Sequence, residues 1–227
     1  MNLFDILGPV MVGPSSSHTA GAVRIGWMTQ KLLGEQPVEA KILMYGSFAA
    51  PGKGHGTDRG LVAGLLGMRP DDERIPDSFE IARKMGLSYS FGIANLTSAH
   101  PNSVVLEVKG KSGRTLEVQA CSLGGGRIMI NRLDGLDVNC SCEIPTLIVH
   151  NLDQPGHVAE VTSMLAHKSV NIANMSLYRD KRGGSAVMVV EMDQPLPKES
   201  LEWLEHLEGI VKVTYINVTE GEEDDVL

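Results

Sequence analysis

The sequence predicts an α+β protein built as two domains, and three observations carry that prediction. At 227 residues, with 42% apolar and 21% charged side chains, the chain has an ordinary globular composition and the length for two modest cores. A Gly- and Asp-rich stretch from Gly124 to Asp137 gives way, around Cys142-Glu-Ile-Pro145, to a regular alternation of short apolar segments. After that break the pattern runs strand, helix, strand, strand, helix, strand. Residues 1–142 therefore read as one domain, 146–219 as a second, and 220–227 as an acidic tail.

Composition also excludes function classes. A net charge of −8 argues against a nucleic-acid surface, which needs clustered Lys and Arg. No apolar run approaches the roughly 18 residues of a membrane helix. The start, Met-Asn-Leu-Phe-Asp-Ile-Leu-Gly, lacks a basic n-region, so a cytoplasmic protein is expected, with no membrane partner. Cys121, Cys140 and Cys142 are the three cysteines, and they read as buried or linker thiols. Cys140-Ser-Cys142 lacks the spacer of a zinc or redox pair, and the set is too scattered for an iron–sulfur site, so no metal is expected in this chain.

In the first domain the earliest element is Gly8-Pro-Val-Met-Val-Gly-Pro followed by Ser15, Ser16, Ser17, His18 and Thr19, leading into a helix from Ala20 to Leu33. One Ser caps such a helix; the further hydroxyls and the His exceed that need and point to an anionic substrate. Val38 to Phe48 reads as a strand. Ala50-Pro-Gly-Lys-Gly-His55-Gly-Thr57-Asp58-Arg59 then opens a helix through Leu66, with Thr57 or Asp58 as its N-cap. Asp71 to Asp77 reads as a solvated loop before a short helix. Thr97-Ser-Ala-His100-Pro-Asn102 precedes a strand, and Pro101 keeps His100 extended. Strands at 104–109 and 114–121 form a hairpin around Lys111-Ser-Gly113. Gly124-Gly-Gly126 bends the chain before Arg127 to Arg132, without the Lys-Ser/Thr ending of a P-loop.

In the second domain, Thr146 to His150 is a strand, and Asn151-Leu-Asp153-Gln-Pro-Gly156 is turn chemistry before a helix from His157 to Lys168. Asn171 to Arg179 and Ser185 to Met192 are strands around the turn Asp180-Lys-Arg-Gly-Gly184. Lys198 to Leu207 is a helix, and Ile210 to Val218 alternates as the last strand. This βαββαβ order is the ferredoxin-like arrangement. The loop Asn151-Leu-Asp-Gln-Pro-Gly-His157, with Asn171 at the next strand, resembles the ligand loop of ACT domains. That resemblance implies an allosteric amino-acid site at Asn151, Asp153, Gly156, His157 and Asn171, and homodimerisation through paired modules.

Gly13-Pro-Ser-Ser-Ser-His-Thr19, Gly54-His-Gly-Thr-Asp58, Ser98-Ala-His-Pro-Asn102 and a terminal ACT module, in that order, resemble the β chain of iron–sulfur-dependent L-serine dehydratase, also called L-serine ammonia-lyase. The resemblance implies a first domain similar to the allosteric substrate-binding domain of phosphoglycerate dehydrogenase. It also implies elimination of water from L-serine to pyruvate and ammonia, without pyridoxal phosphate. A [4Fe–4S] cluster is implied on a separate α chain, the expected partner. Within this chain it points to His18, His55 or His100 for proton transfer, and to Ser15, Ser16, Ser17, Thr19, Thr57, Asp58 and Asn102 for substrate binding. The residues alone leave other readings open: a stand-alone amino-acid sensor or regulatory protein without catalysis, or a metal hydrolase built on the three histidines and Asp58.

Overall fold

The computed structural model describes residues 10–50 and 56–217, and these fall into two compact units that divide between Asp134 and Gly135. His55 and the acidic tail lie outside the described residues. The strands form a six-stranded sheet and a four-stranded sheet.

The first unit opens with a π-helical turn, Ser16–Ala20, which runs directly into helix α1, Gly21–Leu33. Gly34 in the left-handed conformation (φ 79°) ends α1, as a C-terminal glycine does. Strand β1 is Pro37–Met44, ending four residues before the sequence reading places its end. Gly46, with φ 60°, turns the chain into a 3-10 turn, Gly46–Ala49, in place of the strand's end. Helix α2, Thr57–Leu65, is capped neither by Thr57 nor by Asp58. Its N-cap is Gly56 (φ 71°), and Asp58 sits inside the first turn with Oδ1 accepting from Arg59 N–H at 2.8 Å. Helix α3 is Ser78–Met85.

Strand β2, Ser88–Ile93, was not anticipated, although Tyr89, Phe91 and Ile93 alternate with Ser88, Ser90 and Gly92. It pairs parallel with β1. Strands β3 (Ser103–Gly110), β4 (Thr115–Gly124) and β5 (Arg127–Leu133) follow as antiparallel neighbours. A further unanticipated strand, β6 (Leu136–Cys140), follows a two-residue turn in which Asp134 and Gly135 both have positive φ, 48° and 80°. The core of the first unit is fully buried Ile25, Leu32, Ile42, Leu61, Leu106, Val118 and Ile130. All three cysteines are free and buried, and Cys140 Sγ lies 3.3 Å from Cys142 Sγ.

After β6, the second unit runs β7 (Thr146–Leu152), α4 (His157–His167), β8 (Ile172–Arg179), β9 (Ser185–Met192), α5 (Lys198–Glu205) and β10 (Ile210–Ile216), the anticipated βαββαβ order. All pairings in its sheet are antiparallel. Leu147, Val149, Met188 and Val190 from the strands meet Val161, Leu165 and Leu204 from the helices in one core. Burying each such side chain contributes about 1.5–3 kcal/mol. Among the described residues no helix is long and apolar enough to cross a membrane.

Candidate functional site

The hydroxyl run is shaped by an unusual helix start. Ser15 is extended (φ −144°, ψ 122°) and its Oγ accepts from His18 N–H at 3.1 Å, the N-cap that the sequence leads one to expect. Ser15 C=O accepts from both Thr19 N–H (2.9 Å) and Ala20 N–H (3.2 Å), so the first turn widens to π geometry before α1 tightens. Ser15 Oγ and Ser17 Oγ lie 3.4 Å apart, and His18 Nδ1 stands 3.5 Å and 3.3 Å from them. Gly126 N–H donates to Ser16 C=O at 3.3 Å, which fixes the Gly-rich bend beside the turn.

Helix α2 brings the second motif to the same place. A Cβ on Gly60 would stand 3.0 Å from Thr19 O, one on Gly64 would meet Val23 O and Trp27 N, the latter at 2.6 Å, and one on Gly26 would stand 2.9 Å from Leu65 N. Contacts therefore advance together along both helices, from Thr19 and Gly60 to Val23 and Gly64. The helices run parallel with backbones in contact, a spacing only glycine permits. Their N-termini coincide: Thr19 Oγ1 would be 3.7 Å from a Cβ on Gly56, the cap of α2. Two helix N-termini beside a cluster of hydroxyls favour an anion there. Thr57 is buried at that end, whereas the Asp58 carboxylate is exposed.

The third motif joins through Phe48. The His18 and Phe48 rings pack with centroids 5.6 Å apart at 56°. Phe48 belongs to the 3-10 turn, which is stitched to the segment before β3: Tyr45 N–H donates to Ser103 C=O (2.9 Å) and Ser47 N–H to Pro101 C=O (2.8 Å). Ser47 Oγ donates to Asn102 Oδ1. Asn102 Nδ2 donates to Ser122 C=O at 3.5 Å, and Ser122 N–H returns a bond to Asn102 C=O at 3.0 Å. His100 is exposed, and its Nδ1 accepts from Asn102 N–H at 3.1 Å. Sequence reasoning missed Ser47, Phe48 and Ser122. Ser122 is fully buried, a Cβ on Gly21 would come within 2.7 Å of its Cβ, and its hydroxyl has no partner among the described residues. A lone Ser in a strand gives no signal of this.

In the second unit Asn151, Asp153, Gly156 and His157 gather at one corner. Asn151 is 4% exposed; its Nδ2 donates to Leu152 C=O (2.7 Å), and its Oδ1 is buried with no partner among the described residues. Asp153 Oδ2 accepts from Gly183 N–H and Arg179 Nη1, both at 2.9 Å; these bonds, the backbone one first, hold its carboxyl below the usual carboxylate range. Gly156 takes φ 111° to start α4. His157 is 6% exposed, with Nδ1 3.2 Å from Glu160 Oε2 and a buried Nε2 that likewise has no partner among the described residues. Asn171 stands apart, because β8 begins where β9 ends. Its N–H donates to Gln194 Oε1 (2.7 Å) and its Nδ2 to Asp193 Oδ2 (2.6 Å). A groove between α4 and α5, of about 710 Å³ and lined by Ala159, Met164, Ser200 and Trp203, holds none of these five residues.

The chain's own cysteines do not fit an iron–sulfur cluster. Cys140 and Cys142 meet, but no group of three or more potential metal ligands gathers among the described residues.

Comparison with known proteins adds to this geometry. The family model "Serine dehydratase beta chain" matches residues 2–90, and the ACT domain model matches 145–207. A probable L-serine dehydratase β chain of Bacillus subtilis is 40% identical over 215 residues, covering 95% of this chain and 97% of that protein. The L-serine dehydratase β chain of Peptoniphilus asaccharolyticus is 36% identical, with 95% and 97% covered. D-3-phosphoglycerate dehydrogenase of Bacillus subtilis is 24% identical over 199 residues, which span 87% of this chain but 37% of that protein.

Proposed function

Because the chain belongs to the family of L-serine dehydratase β chains, we propose that it is one subunit of a two-chain lyase that eliminates water from L-serine. The α-proton and the hydroxide leave, and the resulting aminoacrylate tautomerises to an imine that water hydrolyses to pyruvate and ammonia. In this reading a [4Fe–4S] cluster, which would assist departure of the hydroxide, belongs to the partner α chain, and no pyridoxal phosphate takes part. The contribution of this chain is the substrate-holding wall.

The observation that carries the reading is the meeting of two parallel helix N-termini at the hydroxyl cluster. An amino-acid substrate offers a carboxylate, which that corner would bind through Ser15, Ser16, Ser17 and Thr19, with Thr57 behind it. His18 sits at the cluster's edge, in reach of a proton on a bound substrate, and His55, which lies outside the described residues, precedes Gly56 in the sequence. The second unit would act as the regulatory site. Asn151 Oδ1 and His157 Nε2, buried with no partner among the described residues, are suited to the ammonium or carboxylate of L-serine or another amino acid.

The test is His18→Ala in the assembled enzyme. Turnover of L-serine should fall by about 100- to 10,000-fold, the range of general acid–base contributions, while the subunits still co-purify. Wild-type turnover would remove His18 from the reaction.

A further inference from the structure

We propose that Asn102 is a positioning residue that touches no substrate: its side chain holds the wall behind His18, and its backbone fixes the tautomer of His100. The proposal rests on the site reading above and changes the part that Asn102 plays in it.

The side-chain amide of Asn102 is spent on the frame. Its oxygen accepts the Ser47 hydroxyl and its nitrogen donates to Ser122 C=O. Ser47 precedes Phe48, and Phe48 is 4% exposed with its ring against His18. The amide therefore ties β4 to the 3-10 turn, and the turn presents the face on which the His18 imidazole rests. Gly46 sharpens the same junction: a Cβ there would stand 2.9 Å from Pro101 Cα. Loosening the amide would let Phe48 drift and the imidazole with it, and a misplacement of about 1 Å can cost on the order of 100-fold in rate.

The backbone of Asn102 acts on the other imidazole. Its N–H donates to His100 Nδ1 at 3.1 Å. A neutral ring that accepts at Nδ1 carries its proton on Nε2. His100, exposed on the same segment, therefore presents an N–H donor at Nε2 rather than a ring lone pair. Such a ring donates to an oxygen and does not take up a proton at Nε2, so removal of the α-proton falls to another group.

Two measurements test this separately. In long-range ¹H–¹⁵N spectra of the full 227-residue chain, recorded where its histidines are neutral, His100 should appear as the Nε2–H tautomer. The Nδ1–H tautomer, or an averaging pair, would overturn the assignment. In the assembled enzyme with L-serine, Asn102→Ala and Ser47→Ala should each lower kcat by about tenfold or more with KM nearly unchanged. The double variant should be no worse than the worse single one, because both changes cut the same tie. A raised KM at unchanged kcat in Asn102→Ala, or additive losses in the double variant, would make Asn102 a substrate contact and overturn the proposal. Should the wild-type assembly fail to act on L-serine, the functional reading falls, and the His100 spectrum still decides the tautomer.

Discussion

Ser15 Oγ, Ser17 Oγ and His18 Nδ1 lie within 3.5 Å of one another, so an anion placed among them would meet several donors at once. The run of hydroxyls is plain in the sequence. The widened turn in which they sit is not, since it depends on Ser15 C=O accepting two N–H groups. Asp153 is a second residue whose work is specific. It clamps the loop after β7 to the turn after β8 through Gly183 N–H and Arg179. Its folded-state pKa lies below the ordinary 3.8, so the clamp contributes fully above that value and is lost as pH falls through the lower one. Thermal melts of wild type and Asp153→Asn should therefore differ at neutral pH and converge as the solution is acidified below 3.8. A difference that persists undiminished in strong acid would mean the clamp is not electrostatic.

Helices α1 and α2 decide whether the site exists at all. Gly26 and Gly64 look like isolated glycines in helices, and nothing along the chain says that each faces the other helix's backbone. Their meaning requires the crossing, which a one-dimensional pattern does not contain. Gly64→Ala would press a methyl on Val23 O and Trp27 N, backbone atoms that cannot turn aside. Denaturant unfolding should show a loss of about 1–3 kcal/mol or more, accompanied by weaker L-serine binding as the two N-termini separate. Unchanged stability would mean the helices cross elsewhere. Other elements were legible for good reason. The βαββαβ order of the second unit follows from clean alternation and turn residues such as Asp180 to Gly184, whose Asp180 N–H donates to Ser185 C=O at 3.1 Å. Strand β2 is hard to read because its alternation lasts only six residues, and Ser88, Ser90 and Gly92, on the face opposite Tyr89, Phe91 and Ile93, leave it half polar. The end of β1 was overrun because Phe48 reads as a strand residue until Gly46 turns the chain. Asn171 was grouped with the Asn151 loop by motif, yet it follows α4 and so lies at the start of β8 beside Asp193.

At the scale of the molecule, one unit carries a polar corner suited to an amino-acid carboxylate, and the other carries a loop whose Asn151 Oδ1 and His157 Nε2 are buried with no partner among the described residues. Neither gathers the ligands for a cluster among the described residues, and the two β-chain relatives match nearly end to end. The account therefore divides the labour between chains: this one binds and orients, and the partner supplies the cluster. The measurement that tests this most directly is pyruvate formation from L-serine under anaerobic conditions, by this chain alone and with the cluster-bearing α chain. The account predicts activity only in the two-chain sample, and its loss on exposure to air. Turnover by this chain alone, or none in either sample alongside clear thermal stabilisation of this chain by an amino acid, would contradict it, the latter in favour of a sensor without catalysis.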